Sequence, residues 1–177
     1  MQVEKIVSHF KINTAVGSIK KLDEGLINDT YLVKTSAPSP DYILQKVNSE
    51  IFGEAQAISD NLELVLNHLN SANRHQKLRF PKLIYSDINE NHVKDESGNF
   101  WRMTEFIEGS VNHDRLINSK MAKEMAAALA HLHQKLDELD ASKIKEVLPD
   151  FHNPGKRLKQ LELAAQNDVR KRDRKST

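Results

Sequence analysis

Three short runs rich in β-branched and aromatic residues, Ile19–Leu22, Thr30–Thr35 and Tyr42–Val47, follow one another before the chain reaches Asn48. Only Glu24-Gly25 and Ser36-Ala37-Pro38-Ser39-Pro40 separate them, and both are turn signals. Three strands joined this tightly predict an antiparallel meander. A short amphipathic helix precedes it, with Val3, Ile6, Val7 and Phe10 at i, i+3, i+4 and i+7. A second helix follows, with Ile58, Leu62, Val65, Leu66 and Leu69 on one stripe. Strands then return at Pro81–Tyr85 and Phe100–Ile107, and Asp95-Glu96-Ser97-Gly98-Asn99 is placed to turn a hairpin between Val93 and Phe100. Beyond Gly109 only helical periodicity remains. Met121, Met125, Ala128, Leu129, Leu132, Leu136 and Leu139 form the longest stripe, and Asn118-Ser119 supplies its start. A last helix runs from Pro154 through Leu158, Leu161 and Ala165 toward the basic tail Arg170–Lys175. The fold class is α+β: a small antiparallel sheet crossed by a helix, then helices only.

Composition narrows the function classes. Lys+Arg total 26 against 25 for Asp+Glu, and a formal charge of +1 argues against a protein built around nucleic acid. The tail is short and lacks interleaved aromatics, so it reads as a frayed helix end. With no cysteine there are no disulfides or thiolate metal sites. No run approaches the roughly 18 apolar residues of a membrane span. The N-terminus carries no secretory pattern, so the expected setting is cytoplasmic, with neither nucleic acid nor membrane as partner.

The segment Glu24–Tyr31 joins two strands, and its Gly25 leaves two readings open. The loop either lets backbone amides approach a phosphate or is an ordinary hairpin turn. Several separated strings in one order add to this. Gly25-Leu26-Ile27-Asn28-Asp29-Thr30-Tyr31-Leu32-Val33, Tyr42-Ile43-Leu44-Gln45-Lys46-Val47-Asn48, Ile51-Phe52 and Asn61-Leu62-Glu63-Leu64-Val65 are four of them. Trp101-Arg102 leading to Glu105-Phe106-Ile107-Glu108, and Asp150-Phe151-His152-Asn153-Pro154, complete the set. Together they resemble the N-acetylhexosamine 1-kinases of the aminoglycoside-phosphotransferase, protein-kinase-like superfamily, from about Gly25 to about Ala165. The resemblance implies a nucleotide-binding small lobe with hinge over residues 1–108. Residues 109–177 would then begin the helical large lobe, truncated before the catalytic loop.

The resemblance also implies site residues. ATP with Mg2+ would be the cofactor, and a sugar such as N-acetylglucosamine or N-acetylgalactosamine the acceptor. Gly25, Asn28 and Thr30 would approach the nucleotide, and the hinge Glu105, Phe106 and Ile107 would hold the adenine through backbone groups. In kinase-like folds a basic residue on the third strand holds the α- and β-phosphates and a helix glutamate orients it. Here Gln45 occupies that position and Lys46 follows it. Strand alternation turns the two to opposite faces unless a bulge shifts the register. Glu63 is the helix glutamate by resemblance, with Glu54 the second choice. Phe151 and His152 would add sugar-side contacts. On the long helix, His133 is expected at the edge of the apolar stripe, with His131 facing away.

Phosphoryl transfer also needs a carboxylate near the acceptor and ligands for the metal. The superfamily's His-x-Asp-x-x-x-x-Asn loop is not found. His113-Asp114-Arg115-Leu116-Ile117-Asn118 has the wrong spacing and stands before the long helix, not after it. No residue is therefore assigned as catalytic base or metal ligand, and the chain alone is expected to be inactive. It is also expected to leave apolar helix surface exposed and so to be marginally stable or to self-associate. Two alternatives stay open: a non-catalytic, pseudokinase-like module that binds nucleotide or a partner, and an acceptor of the choline, homoserine or aminoglycoside type.

Overall fold

The structure, a computed structural model, describes residues 2–22, 27–71, 78–111, 113 and 115–167. It divides into two compact units, Met1–Val147 and Leu148–Thr177.

The first unit opens with helix α1 (Gln2–Val7) and the strands β1 (Val16–Leu22), β2 (Asp29–Thr35) and β3 (Tyr42–Lys46). Helix α2 (Ala55–Ser71) follows, then β4 (Leu83–Ile84), β5 (Val93–Lys94), β6 (Phe100–Glu105), helix α3 (Ser119–Leu136) and a 3-10 turn at Ala141–Lys143. All strand pairs are antiparallel in the order β1-β2-β3-β6-β4, and β5 shares with β4 the edge of β6 opposite β3.

Alternation along the strands divides the sheet into two unlike faces. Val33, Leu44 and Met103 are 0% exposed and, with Tyr42, Val93 and Trp101, meet Ile6, Val7 and Phe10 of the N-terminal segment. The apolar spacing of α1 is thus explained by one closed core. Phe10 also bridges to Ser86, which ties the first segment to the far edge of the sheet. The opposite face carries Leu32, Ile43, Thr104, Thr30, Gln45 and Arg102, all only half-buried.

Local chemistry sets the hairpin between β5 and β6. The Asp95 carboxylate accepts from the Ser97 and Asn99 amides, both at 2.9 Å, and from Trp101 Nε1 at 3.0 Å. Gly98 sits at φ 80, where a side chain would be strained. Burial raises the Asp95 carboxyl pKa, but these donors outweigh it and hold the group below the usual carboxylate range.

Helix α2 buries Ala55, Ala57, Ser59, Leu66 and Leu69, none of which joins the α1 core. It contacts β6 and α3. His68 Nε2 lies 2.7 Å from the Lys135 carbonyl near the end of α3. Asn61 exchanges two hydrogen bonds with the Lys145 backbone, at 2.8 and 2.9 Å. Helix α3 begins where the sequence placed its start: Asn118 Oδ1 accepts from Met121 N at 2.9 Å. It has no fully buried residue, and Met125 and Leu129 are 56% and 54% exposed. The two histidines reverse their expected roles. His131 is half-buried beside Gln134 and His133 is exposed, because α3 packs through Met121, Ala128, His131, Leu132 and Leu136 and not along the richest apolar stripe.

In the second unit helix α4 (Pro154–Gln166) is capped by Asn153, whose Oδ1 accepts from Lys156 N at 3.0 Å, with Pro154 in the first turn. Arg170–Lys175 lie outside the described residues. Among the described residues no helix is long and apolar enough to cross a membrane.

Candidate functional site

The half-buried face of the sheet is built as two cross-strand rows. Leu32, Ile43 and Thr104 are register partners on β2, β3 and β6 and form the first row. Two residues farther along, about 6–7 Å at the usual strand rise, Thr30, Gln45 and Arg102 form the second. Lys20 and Leu22 on β1 pair with Leu32 and Thr30 and extend both rows. The first row is apolar at its centre, where Leu32 and Ile43 lie between Lys20 and Thr104, and the second is polar from Thr30 to Arg102 with Leu22 at its end.

The polar row is hydrogen-bonded in sequence. Arg102 Nε and Nη2 both donate to Gln45 Oε1, at 3.1 and 3.0 Å. A guanidinium can only donate, so the Gln45 oxygen must face it and the Gln45 nitrogen faces away. That nitrogen donates to Thr30 Oγ1 at 3.3 Å, and Thr30 Oγ1 donates to the Asn28 carbonyl at 3.5 Å. Asn28 Oδ1 accepts from Asn48 N at 3.0 Å, and Asn48 Nδ2 donates to the Ile27 carbonyl at 3.3 Å. The segment after β1 is thereby pinned to the segment after β3, and Asn28, Thr30 and Gln45 form one network. Gly25 lies outside the described residues.

The register of β3 runs without a shift from Tyr42 to Lys46, so Gln45 and Lys46 take opposite faces. Lys46 Nζ stands 6.0 Å from the centre of the Trp101 ring on the core side. Glu63 also goes elsewhere. It accepts from Tyr85 Oη and from Asn91 Nδ2, both at 2.7 Å, and no hydrogen bond joins it to Gln45 or Arg102 among the described residues. Asn91 donates as well to Asp60, at 2.9 Å, so one amide holds two carboxylates of α2. Burial raises the Asp60 pKa, but hydrogen bonds from Lys145, Asn91 and Gln56 outweigh it and bring the value down to about 2. Glu54 is exposed at the helix start.

The segment expected to form the hinge begins with Glu105, the last residue of β6. Glu105 N donates to the Lys82 carbonyl and Phe106 N to the Asp41 carbonyl, both at 2.8 Å. The Glu105 carboxylate lies 3.6 Å from Lys82 Nζ. The Ile107 carbonyl accepts from Ser110 N at 3.2 Å, while its N–H makes no hydrogen bond among the described residues. Gly109 then turns the chain at φ 77. Phe151 and His152 belong to the second unit, where their rings meet edge to face with centroids 4.7 Å apart and Phe151 is 53% exposed. No group of three or more histidine, aspartate or glutamate side chains able to hold a metal is present among the described residues.

Arg102 is the member of this site that sequence reasoning did not assign. The signal available was a cation between the apolar Trp101 and Met103 in the strand Phe100–Ile107. Its pairing with Gln45 depends on β3 and β6 becoming neighbours, across a gap of 57 residues.

Two comparisons bear on the fold and the family. Among solved structures, the chain is similar to a spectinomycin phosphotransferase crystallised with ADP and spectinomycin, with a TM-score of 0.52 and 11% identity. The match covers 80% of this chain and 39% of that one, so the chain spans well under half of that protein's length. At this identity the likeness shows the fold: an α+β, protein-kinase-like small lobe. The model of the phosphotransferase enzyme family matches residues 18–176. The chain belongs to the phosphotransferase enzyme family.

Proposed function

We propose that this chain supplies the nucleotide-binding lobe of an ATP-dependent small-molecule kinase that phosphorylates the anomeric hydroxyl of an N-acetylhexosamine. The observation that carries the nucleotide part is the half-buried sheet face, with Leu32 and Ile43 side by side on it and Thr104 leading into the expected hinge. Leu32 and Ile43 form a bed of the right character for a purine ring, and Ile107, three residues after Thr104, has an N–H that makes no hydrogen bond among the described residues. Phosphates then extend toward Thr30 and Gln45, whose network with Asn28 fixes their positions in advance. Family membership supports phosphoryl transfer, a reaction in which proteins act mainly by positioning and electrostatics.

ATP supplies the phosphoryl group when bound. Mg2+ would belong to the complete reaction, but the described residues offer no cluster to hold it, so no step is assigned to it here. Residues 1–108 act as the nucleotide lobe and 109–177 begin the acceptor side. Phe151 and His152 are the exposed ring pair offered to the sugar. The sugar assignment rests on the strings from Gly25 to Pro154 that resemble N-acetylhexosamine 1-kinases. The setting is cytoplasmic.

The test is an acceptor screen on the complete enzyme with ATP, comparing N-acetylglucosamine and N-acetylgalactosamine with choline, homoserine and an aminoglycoside. Phosphate on the anomeric oxygen of the hexosamines is expected. Turnover with choline or an aminoglycoside alone would refute the sugar assignment. A second reading, a non-catalytic nucleotide-binding module, draws on the neutral Gln45 where the wider superfamily has a basic residue. Tight ATP binding without transfer to any of these acceptors would favour it.

A further inference from the structure

We infer that Arg102, reaching from the strand next to Gln45, is the cation that binds the phosphates of the nucleotide, with Gln45 as the group that aims it. The inference rests on the nucleotide reading above and names the residue that reading lacks. Three observations carry it.

Arg102 is half-buried on the face that bears the purine bed, one row beyond Ile43 and Thr104. Among the described residues no carboxylate pairs with it, and its hydrogen bonds all go to the neutral oxygen of Gln45. Burial lowers its pKa, with no anion among the described residues opposing the effect, yet a guanidinium stays protonated. A desolvated cation without a counter-charge is costly, and an anionic ligand offsets that cost.

The third observation is geometric. Of the five N–H donors of a guanidinium, Gln45 occupies two, on the edge formed by Nε and Nη2. The remaining three lie on the Nη1/Nη2 end, and two of them form the parallel pair that matches two phosphate oxygens. Gln45 is itself held by Thr30, so the guanidinium plane is set before ligand arrives. Lys46, the cation next to Gln45 in sequence, lies toward Trp101 on the opposite face. The charge that the third strand does not provide is thus supplied from β6.

Binding of adenosine, ADP and inorganic tripolyphosphate to the full chain separates the possibilities. Isothermal titration of the wild type should show ADP at least tenfold tighter than adenosine. Arg102→Met should bring that ratio near one, and Arg102→Lys should keep part of it. The Arg102 side-chain 15N resonances of the wild type should move with tripolyphosphate, a readout that requires no variant to fold. An unchanged ADP-to-adenosine ratio in a folded Arg102→Met protein, or Arg102 resonances indifferent to tripolyphosphate, would overturn the proposal while leaving nucleotide binding intact. Tripolyphosphate shifts at Arg102 without binding of adenosine or ADP would keep the anion site and overturn the nucleotide reading. Binding of none of the three ligands would overturn both.

Discussion

Ile43 and Leu44 are adjacent on β3, and the account predicts that truncating them has opposite consequences. Leu44 is 0% exposed between its register partners Tyr31 and Met103, on the face closed by α1. Leu44→Ala removes three carbons, about 2.4 kcal/mol at roughly 0.8 kcal/mol for each. A cavity lined by rigid neighbours adds about 1–2 kcal/mol, for a total near 4 kcal/mol. Ile43 is half-buried on the other face, so Ile43→Ala should cost only about 1 kcal/mol in stability. Urea unfolding at one low protein concentration, followed by tryptophan fluorescence, measures both, since Trp101 lies in the Leu44 core. The Leu44 variant should lose roughly 10 °C in Tm, taking about 2–4 °C for each kcal/mol. Adenosine binding should follow the reverse order, weakened severalfold by Ile43→Ala and unchanged in whatever fraction of the Leu44 variant is folded. Equal destabilisation by the two variants would refute the division of the sheet into a core face and a ligand face.

Other consequences follow from the same contacts. The Asp60 carboxyl has its pKa lowered from 3.8 to about 2, so its contribution is present above pH 4 and is lost as pH falls toward 2. Asp60→Asn should therefore destabilise by about 2 kcal/mol at pH 7, and pH-dependent urea titrations should show the penalty shrinking below pH 4. Asn153→Ala removes the cap of α4, and circular dichroism should report lost helicity equivalent to about 1 kcal/mol. Met125 and Leu129 lie exposed on α3, so the chain studied alone should self-associate, with light scattering giving a mass above 20.2 kDa that falls on Met125→Lys. A monomer at all concentrations would refute that expectation.

Element order was legible because each element is dictated locally. The β-branched runs between tight turns, the spacing of Val3, Ile6 and Val7, and the cap Asn118 all lie within a few residues of what they determine, whereas Phe10, expected on the same helix, lies beyond its end and bridges to Ser86. The strand face of Gln45 and Lys46 was likewise fixed by alternation. Partners were less legible. Glu63 meets Tyr85 and Asn91, 22 and 28 residues away, and nothing in its own helix announces them. The exposed side of α3 depends on where α2 presents His68 to the Lys135 carbonyl, so the order of His131 and His133 was misread. Arg102 was given no role of its own for a related reason. Its role depends on a neighbour in another strand, while its own surroundings in sequence suggest only a strand.

The most direct test of the account is a 1H–15N and methyl NMR titration of the chain with a non-hydrolysable ATP analogue. The account predicts shifts at Ile43, Thr104 and Ile107 together with Thr30, Gln45 and Arg102, and little change at Val33, Leu44 or Phe10. Shifts concentrated around Ile6, Phe10 and Met103, or none at all, would contradict the claim that this face of the sheet binds the nucleotide.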